Sequence, residues 1–310
     1  MIGKNLFFKT IFSLLLSLIF SYNCYSQSDP PIDSDPNRNW DGITHWSRYI
    51  VISPGFMGPN ALPVPEIKKG IIENRIEFEL SQQNHFSKHD KTFNLFSRLY
   101  IPFANNKIAI EFYMVPVEYF SMDTCLRYKR KTFKLDGEGF AVGDLYFSTI
   151  VQILKNHKNL PDIALRLACR TASGGKFTAA RFTDTPGYFF DLSFGKKILM
   201  NSKRIENINA FGMAGFYSWQ TYSVSHRQND AFLFGFGADI NTKKFSISNA
   251  VAGYLGYCQN LDKPIVYRFH ISKNAKHFDF RIGYQAGLQD LLYNTINFSV
   301  IYHIKKLYSK

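Results

Sequence analysis

An all-β chain closed into a single antiparallel transmembrane barrel is the fold class this sequence predicts, and three observations predict it. From Arg75 to Ile304, apolar and polar residues alternate with a period of two in segment after segment. The segments number twelve, an even count, and the connections are longer at one end of the array than at the other. Alternation alone suits a water-soluble sandwich as well, because a sandwich turns its apolar face inward and a membrane barrel turns it outward. Repetition and connection length favour the barrel. Aromatic residues make up 16% of the chain, and many occupy alternate strand positions, where a lipid-facing band and its interfacial girdles use them.

The chain opens with Lys4 and Lys9, the apolar run Ile11 to Phe20, and the small residues Cys24 and Ser26 before Gln27. This pattern predicts a cleaved signal peptide over 1–26. The run is about half the ~20 residues a spanning helix needs. Removing it takes away two lysines and no acid, so the formal charge falls from +13 to +11. The remaining basic residues are scattered over turns and loops rather than gathered on one helix. Anionic outer-membrane lipids therefore suit this charge as a partner better than nucleic acid does. Cys125, Cys169 and Cys258 remain, an odd number without CxxC spacing, and no complete disulfide framework is expected.

Residues 27–66 lack periodicity and hold seven prolines among residues 30–65, with Trp40 and Trp46 between them. The segment reads either as an irregular periplasmic lead-in or as a partial plug with Trp40 and Trp46 tucked into the lumen. Asp33 to Asp41 has the flavour of a calcium loop, but Arg38 stands where an EF-hand needs Gly and Thr44 where it needs Glu. Neither a metal nor a cofactor is expected.

The barrel is expected over 67–306. In strand one Ile72, Ile76, Phe78 and Leu80 oppose Arg75, Glu77 and Glu79. In strand two Leu95, Leu99 and Ile101 oppose Asn94 and Arg98, and in strand three Ile108, Ile110, Phe112 and Met114 oppose Glu111 and Tyr113. Strand four follows Gly143. Strand five sets Ile163, Leu165, Leu167 and Cys169 against Arg166 and Arg170, and strand six sets Tyr188, Phe190, Leu192 and Phe194 against Asp191. Strand seven, about 205–219, is apolar on both faces, and the set Phe211, Met213, Tyr217 and Trp219 is preferred as lipid-facing over Ala210, Gly212, Ala214 and Phe216. In strand eight Phe232, Phe234 and Phe236 oppose Gly235, Gly237 and Asp239. Strand nine has Phe245, Ile247, Val251 and Leu255 in phase, and in strand ten Tyr267, Phe269 and Ile271 oppose Arg268 and His270. Strand eleven sets Phe278, Phe280 and Ile282 against Asp279 and Arg281, and strand twelve sets Ile296, Phe298 and Val300 against Asn297 and Ser299. Gly235 and Gly237 read as lumen positions where a small residue leaves space.

Connections near 83–91, 120–142, 172–186, 220–230, 257–264 and 288–292 are mostly longer than those at the other end, where both termini of the barrel also lie. This asymmetry is that of an outer-membrane barrel of a Gram-negative bacterium. Closure removes sheet edges that would otherwise aggregate.

The predicted lumen face carries Arg75, Glu77, Glu79, Arg98, Glu111, Arg166, Arg170, Asp191, Asp239, Arg268, Asp279 and Arg281. Both signs are present, so the set is either a ladder selecting a solute or a network of ion pairs bracing a filled interior. Twelve strands lie between filled eight-stranded barrels and open sixteen-stranded porins.

Gly143-Asp144-Leu145, Pro161 to Arg166, Thr171 to Gly174 and Asp191 to Lys196 together resemble the outer-membrane family associated with the meta pathway of phenol degradation. Ala172-Ser173 stands where that family's loop reads Pro-Thr. The resemblance covers about a sixth of the chain and implies a barrel that takes up small, often aromatic or hydrophobic compounds.

Two other functions compete with a channel. A lipid-modifying hydrolase needs His, Ser and an acid or amide near the interface. Ser225-His226-Arg227-Gln228-Asn229-Asp230 supplies those residue types without the spacing of outer-membrane deacylases or phospholipases, and no enzyme is expected. A structural barrel could instead hold a protein or polysaccharide through the loop 120–142, whose basic cluster is Arg127, Lys129, Arg130, Lys131 and Lys134.

Overall fold

The computed structural model describes residues 43–133, 137–200, 202, 204–275 and 277–304. Their strands are β1 (Ile76–Phe86), β2 (Asp90–Phe103), β3 (Ile108–Met122), β4 (Glu138–Ala141), β5 (Tyr146–Leu154), β6 (Asp162–Arg170), β7 (Gly187–Leu199), β8 (Ile205–Gln220), β9 (Gln228–Thr242), β10 (Phe245–Gly256), β11 (Ile265–Asn274), β12 (Phe278–Gln289) and β13 (Asn294–Ile304). Each barrel strand pairs antiparallel with its sequence neighbours. β1 pairs with both β2 and β13, and β2 with β3, so the sheet closes on itself with twelve barrel strands and β4 as an extra.

The apolar alternation faces outward. Phe112, Phe147, Phe190, Phe232, Phe236, Phe280 and Phe298 are exposed on the outer surface, while Glu111, Arg166, Asp191 and Ser193 of the opposite phase are buried. In water that arrangement would expose a large hydrophobic patch; against hydrocarbon it is the stable one. β3 changes phase at one point. Leu95 pairs with Val117 and Ser97 with Met114, so β3 carries the surplus residue there, beside Pro116, which has no N–H to donate. β5 pairs only with Ile108–Tyr113, leaving the upper half of β3 uncovered, and β4 covers it at Glu118–Ser121. Between β3 and β4 lies α1 (Thr124–Arg130), whose N-terminus is capped by Asp123 Oδ1 accepting from Leu126 N at 2.9 Å. Neither β4 nor α1 was expected inside this loop.

β8 corrects the sequence reading. Phe211, Met213, Tyr217 and Trp219 face the interior, and Ala210 and Ala214 face out. Their inward partner is the chain itself. Residues 48–72 run through the barrel, and Ile50, Ile52, Met57, Ala61, Leu62 and Val64 pack against Tyr146, Ala168, Phe189, Met213, Tyr217, Trp219, Leu233 and Tyr254 in one buried cluster. This lumen segment begins among the long connections. There the guanidinium of Arg48 donates to Tyr222 O, Gly55 N to Leu261 O and Gly58 N to Ala180 O. It ends at the short-turn side, where Gln152 Nε2 donates to Gly70 O and Ile72 N to Gln152 Oε1. Gly70 has φ +74 and presses its backbone on Asp162 and Gly195, a conformation and an approach that a side chain would strain.

Ile72 is therefore not the first residue of a strand but a buried residue of this segment, and β1 starts at Ile76. Trp40 lies outside the described residues. Trp46 begins a single 3-10 turn, Trp46–Arg48, on the long-connection side. The expected lumen gap at Gly235 and Gly237 is filled: a Cβ on Gly235 would stand 2.8 Å from Ile67 Cδ1, and one on Gly237 would stand 2.7 Å from the Phe211 ring.

Candidate functional site: the lumen

The lumen segment has prolines at 54, 59, 63 and 65, which bring no N–H donors, and it has no strand neighbour to take its carbonyls. Side chains of the barrel take them. Trp219 Nε1 donates to Ile52 O at 3.1 Å, Arg170 Nη1 to Ala61 O at 2.6 Å, Tyr254 Oη to Leu62 O at 2.8 Å, Arg268 Nη1 to Pro65 O at 3.1 Å and Arg166 Nη2 to Glu66 O at 2.8 Å. From the loop side Arg130 Nη2 donates to Met57 O at 2.8 Å. These bonds distribute guanidinium charge over backbone dipoles, which is how arginines are tolerated in the barrel interior.

The remaining inward charges fall into local groups. Arg98 contacts three carboxylates, Glu77 at 2.9 Å, Glu79 at 3.1 Å and Glu111 at 3.1 Å, and Lys68 of the lumen segment meets Glu111 at 2.6 Å. Arg281 meets Glu79 at 3.2 Å, Arg166 meets Asp191 at 2.7 Å, Lys69 meets Asp239 at 2.8 Å, and His303 meets Asp279 at 3.0 Å. Arg75 precedes β1, is exposed, and approaches His303 Nε2 at 3.5 Å. Lys68, Lys69 and Glu66 escaped the sequence reading because they precede the first periodic strand. The signal for them was the Lys68-Lys69-Gly70 triplet, a charge doublet joined to a turn residue after a proline-rich run.

At the long-connection end a second network was also missed. Asp90 Oδ2 accepts from Arg181 Nη1 at 2.6 Å and Arg130 Nη1 at 3.0 Å, while Arg181 Nε donates to Glu118 at 2.8 Å and Arg181 Nη2 to Thr92 at 2.7 Å. It ties the connections 123–145 and 171–186 into the barrel mouth. Arg130 thereby leaves the basic cluster read from the sequence, while Lys129 and Lys131 stay exposed. Lys134 lies outside the described residues. In the same region Asp144 is buried, with Oδ1 accepting from Gly174 N at 2.6 Å and Oδ2 unpartnered. Burial pushes its carboxyl up to about 6, against the opposing influence of Arg170.

Ser225 Oγ and His226 Nδ1 are 2.9 Å apart on the exposed connection 221–227, and Asp230 is engaged with Gln228. Among the described residues no carboxylate reaches the other imidazole nitrogen, so the orienting group of a hydrolytic triad is missing.

The lumen segment does not fill the barrel evenly. Its apolar residues pack mainly against β5 to β11, while Asn60 and Lys68 reach β2 and β3, and a cavity of about 160 Å³ is left against β1 to β3, β5 to β7 and β11 to β13. Charged side chains at its edge, among them Arg98, Arg281 and Glu66, adjoin neutral ones, among them Ser81, Gln83 and Asn297.

No known family's sequence pattern matches the chain, and no curated protein matches it. Solved structures do match. An outer-membrane channel from Pseudomonas putida F1 aligns with a TM-score of 0.56 at 9% identity, covering 78% of this chain and 100% of that one. The NanC porin aligns with a TM-score of 0.47 at 9% identity, over 73% of this chain and 100% of that one. The transport unit of the autotransporter AIDA-I from Escherichia coli aligns with a TM-score of 0.44 at 9% identity, over 79% and 94%. At such identities the likeness is one of fold: a closed antiparallel β-barrel, as in that outer-membrane channel.

Proposed function

We propose that the chain is an outer-membrane channel for small solutes, narrowed by residues 48–72 to a conduit along β1 to β3 and β11 to β13. The observation that carries this reading is the one-sided packing of the lumen segment. One wall is sealed by aromatic and aliphatic contacts, and the opposite side keeps a cavity whose lining mixes aromatic, amide, hydroxyl and charged side chains. A segment evolved only to fill the barrel would bury that wall too, because unfilled interior forfeits packing energy. The channel fold of the P. putida structure supports the reading. The sequence resemblance to the phenol-degradation family supports uptake of small compounds.

The test is conductance in planar bilayers together with liposome swelling. Wild-type protein should give small, steady unitary currents. Arg268→Ala, which removes the donors holding Val64 O and Pro65 O, should enlarge them by loosening the segment. No current and no permeation of any solute, from protein that still migrates as a folded band without boiling, would reject the channel.

A further inference from the structure

Near its end the lumen segment alternates as a strand does. Glu66 and Lys68 turn to the cavity, while Ile67 and Lys69 turn to β9, where Ile67 lies over Gly235 and Lys69 meets Asp239 at 2.8 Å. Two walls hold the backbone at this point. Arg268 of β11 donates to Val64 O and Pro65 O, and Arg166 of β6 donates to Glu66 O at 2.8 Å. The Glu66 side chain is thus presented to the cavity from a clamped backbone. It is exposed there, and among the described residues no hydrogen bond or ion pair reaches its carboxylate.

The other charges along the cavity are matched or covered. Lys68 meets Glu111 at 2.6 Å, Arg98 meets Glu77 at 2.9 Å, Arg281 meets Glu79 at 3.2 Å and Arg166 meets Asp191 at 2.7 Å. Asp144 is buried beside Arg170. Arg268 has no carboxylate at contact distance, but its Nε, Nη1 and Nη2 are all occupied, by Gln285, Pro65 O and Val64 O. A pair in contact acts on a passing ion as a dipole, whose field falls off faster than that of a single charge. Among the described lining residues Glu66 is therefore the carboxylate that such an ion meets directly. The cations whose fields reach it are Arg281, Arg268 and Lys68. Without its charge the cavity becomes more positive, and anions gain over cations.

We infer that Glu66 is the selectivity-determining residue of the conduit, an acidic group carried by the lumen segment that raises the passage of cations over anions. The inference rests on the channel reading and deepens it. Acidic side chains select cations in pores by their field at a constriction. Here the segment that narrows the barrel also supplies the charge, so one residue acts on whatever passes beside it.

The full-length protein is placed in planar bilayers across a KCl gradient at neutral pH and low ionic strength, where screening is weakest, and the reversal potential gives the permeability ratio of potassium to chloride. Glu66→Gln should lower that ratio about fivefold, the effect of one unit charge at about 4 Å in water. Glu66→Lys should lower it further, and Glu66→Asp, which keeps the charge, should stay near wild type. Glu138→Gln, which removes an exposed carboxylate of β4, should leave it unchanged. The inference is overturned if folded Glu66→Gln conducts with an unchanged ratio, or if Glu138→Gln lowers the ratio as much, which would assign the shift to surface charge. A second variant covers a folding failure of the first. In Glu66→Cys, with Cys125, Cys169 and Cys258 replaced by Ser, an anionic methanethiosulfonate should raise the ratio and a cationic one lower it. No change with either reagent overturns the inference too, because a group that meets passing ions must also meet the reagent. Absence of current from folded wild type rejects the channel and this role with it; current with an unchanged ratio removes the role of Glu66 alone.

Discussion

Arg166 Nε stands 2.7 Å from Asp191 Oδ2, one strand away on the inner wall, and the same guanidinium reaches Glu66 O of the lumen segment at 2.8 Å. One side chain thus joins β6, β7 and the segment. Both residues are buried, with Asp191 fully so. The β6–β7 register sets them directly opposite each other.

Removing one partner leaves the other charged and dry. Arg166→Ala should lower the unfolding free energy by about 3–5 kcal/mol, the usual cost of breaking a buried pair. Asp191→Asn keeps the volume and an acceptor oxygen and should cost less. Urea unfolding in micelles, followed by tryptophan fluorescence, measures both. Equal losses would show that the pair acts through shape rather than charge.

Arg181 should be equally sensitive, with a different symptom. It holds Asp90, Thr92 and Glu118 while sitting in the connection 171–186. Arg181→Met should detach that connection from the mouth, and limited proteolysis should then cut near Gly174-Gly175-Lys176 much faster than in wild type. Unchanged cutting with a folded barrel would mean that Phe177 and Phe182, both buried, hold the connection without it.

The phase of β8 can be read by fluorescence. Trp219 is 1% exposed and donates to Ile52 O. With Trp40 and Trp46 replaced by Phe, emission should be blue-shifted and insensitive to brominated lipids. A tryptophan placed at Phe216, of the opposite phase, should be quenched. Quenching of Trp219 would restore the lipid-facing assignment.

That strand also shows what was legible in the sequence and what was not. The twelve strands, their antiparallel order and the inward phase of Arg166, Asp191, Asp239 and Arg281 follow from period-two alternation, because one face meets lipid and the other a polar interior. Where the lumen segment lies against the wall, the interior is itself apolar. Tyr217 and Trp219 inside then rival Phe216 outside, and alternation loses its sign. The segment gave no periodic signal at all. Some of its hydrogen bonds go to side chains more than a hundred residues away, Arg170 for Ala61 and Tyr254 for Leu62, and no local pattern encodes such partners.

Asp144 makes the stability pH-dependent. Its carboxyl, ordinarily near 3.8, is pushed up to about 6 by burial. The folded state therefore binds the extra proton between those values, so stability falls as pH rises through that window and the penalty is complete above it. Its size is about 3 kcal/mol. Asp144→Asn keeps an oxygen for Gly174 N and should raise the unfolding midpoint at pH 8 while leaving it unchanged at pH 4. A gain of equal size at both values would assign the effect to packing.

The threading direction has the largest consequence for the intact cell. The segment is held at its start by the connections 171–186, 221–227 and 257–264, and at its end by Gln152 beside the short turns. Long connections of such barrels face the outside and short turns the periplasm. Ile43, 91% exposed, should therefore be open to the medium, although a lead-in to β1 would ordinarily be sought in the periplasm. With Cys125, Cys169 and Cys258 replaced by Ser, Ile43→Cys should react with a membrane-impermeant maleimide on whole cells. Glu73→Cys, exposed beside the short turns, should react only after the outer membrane is permeabilised. The opposite pattern would invert the barrel in the membrane. Labelling of both positions only after permeabilisation would mean that the segment withdraws from the lumen in the cell, and the one-sided conduit would lose its wall.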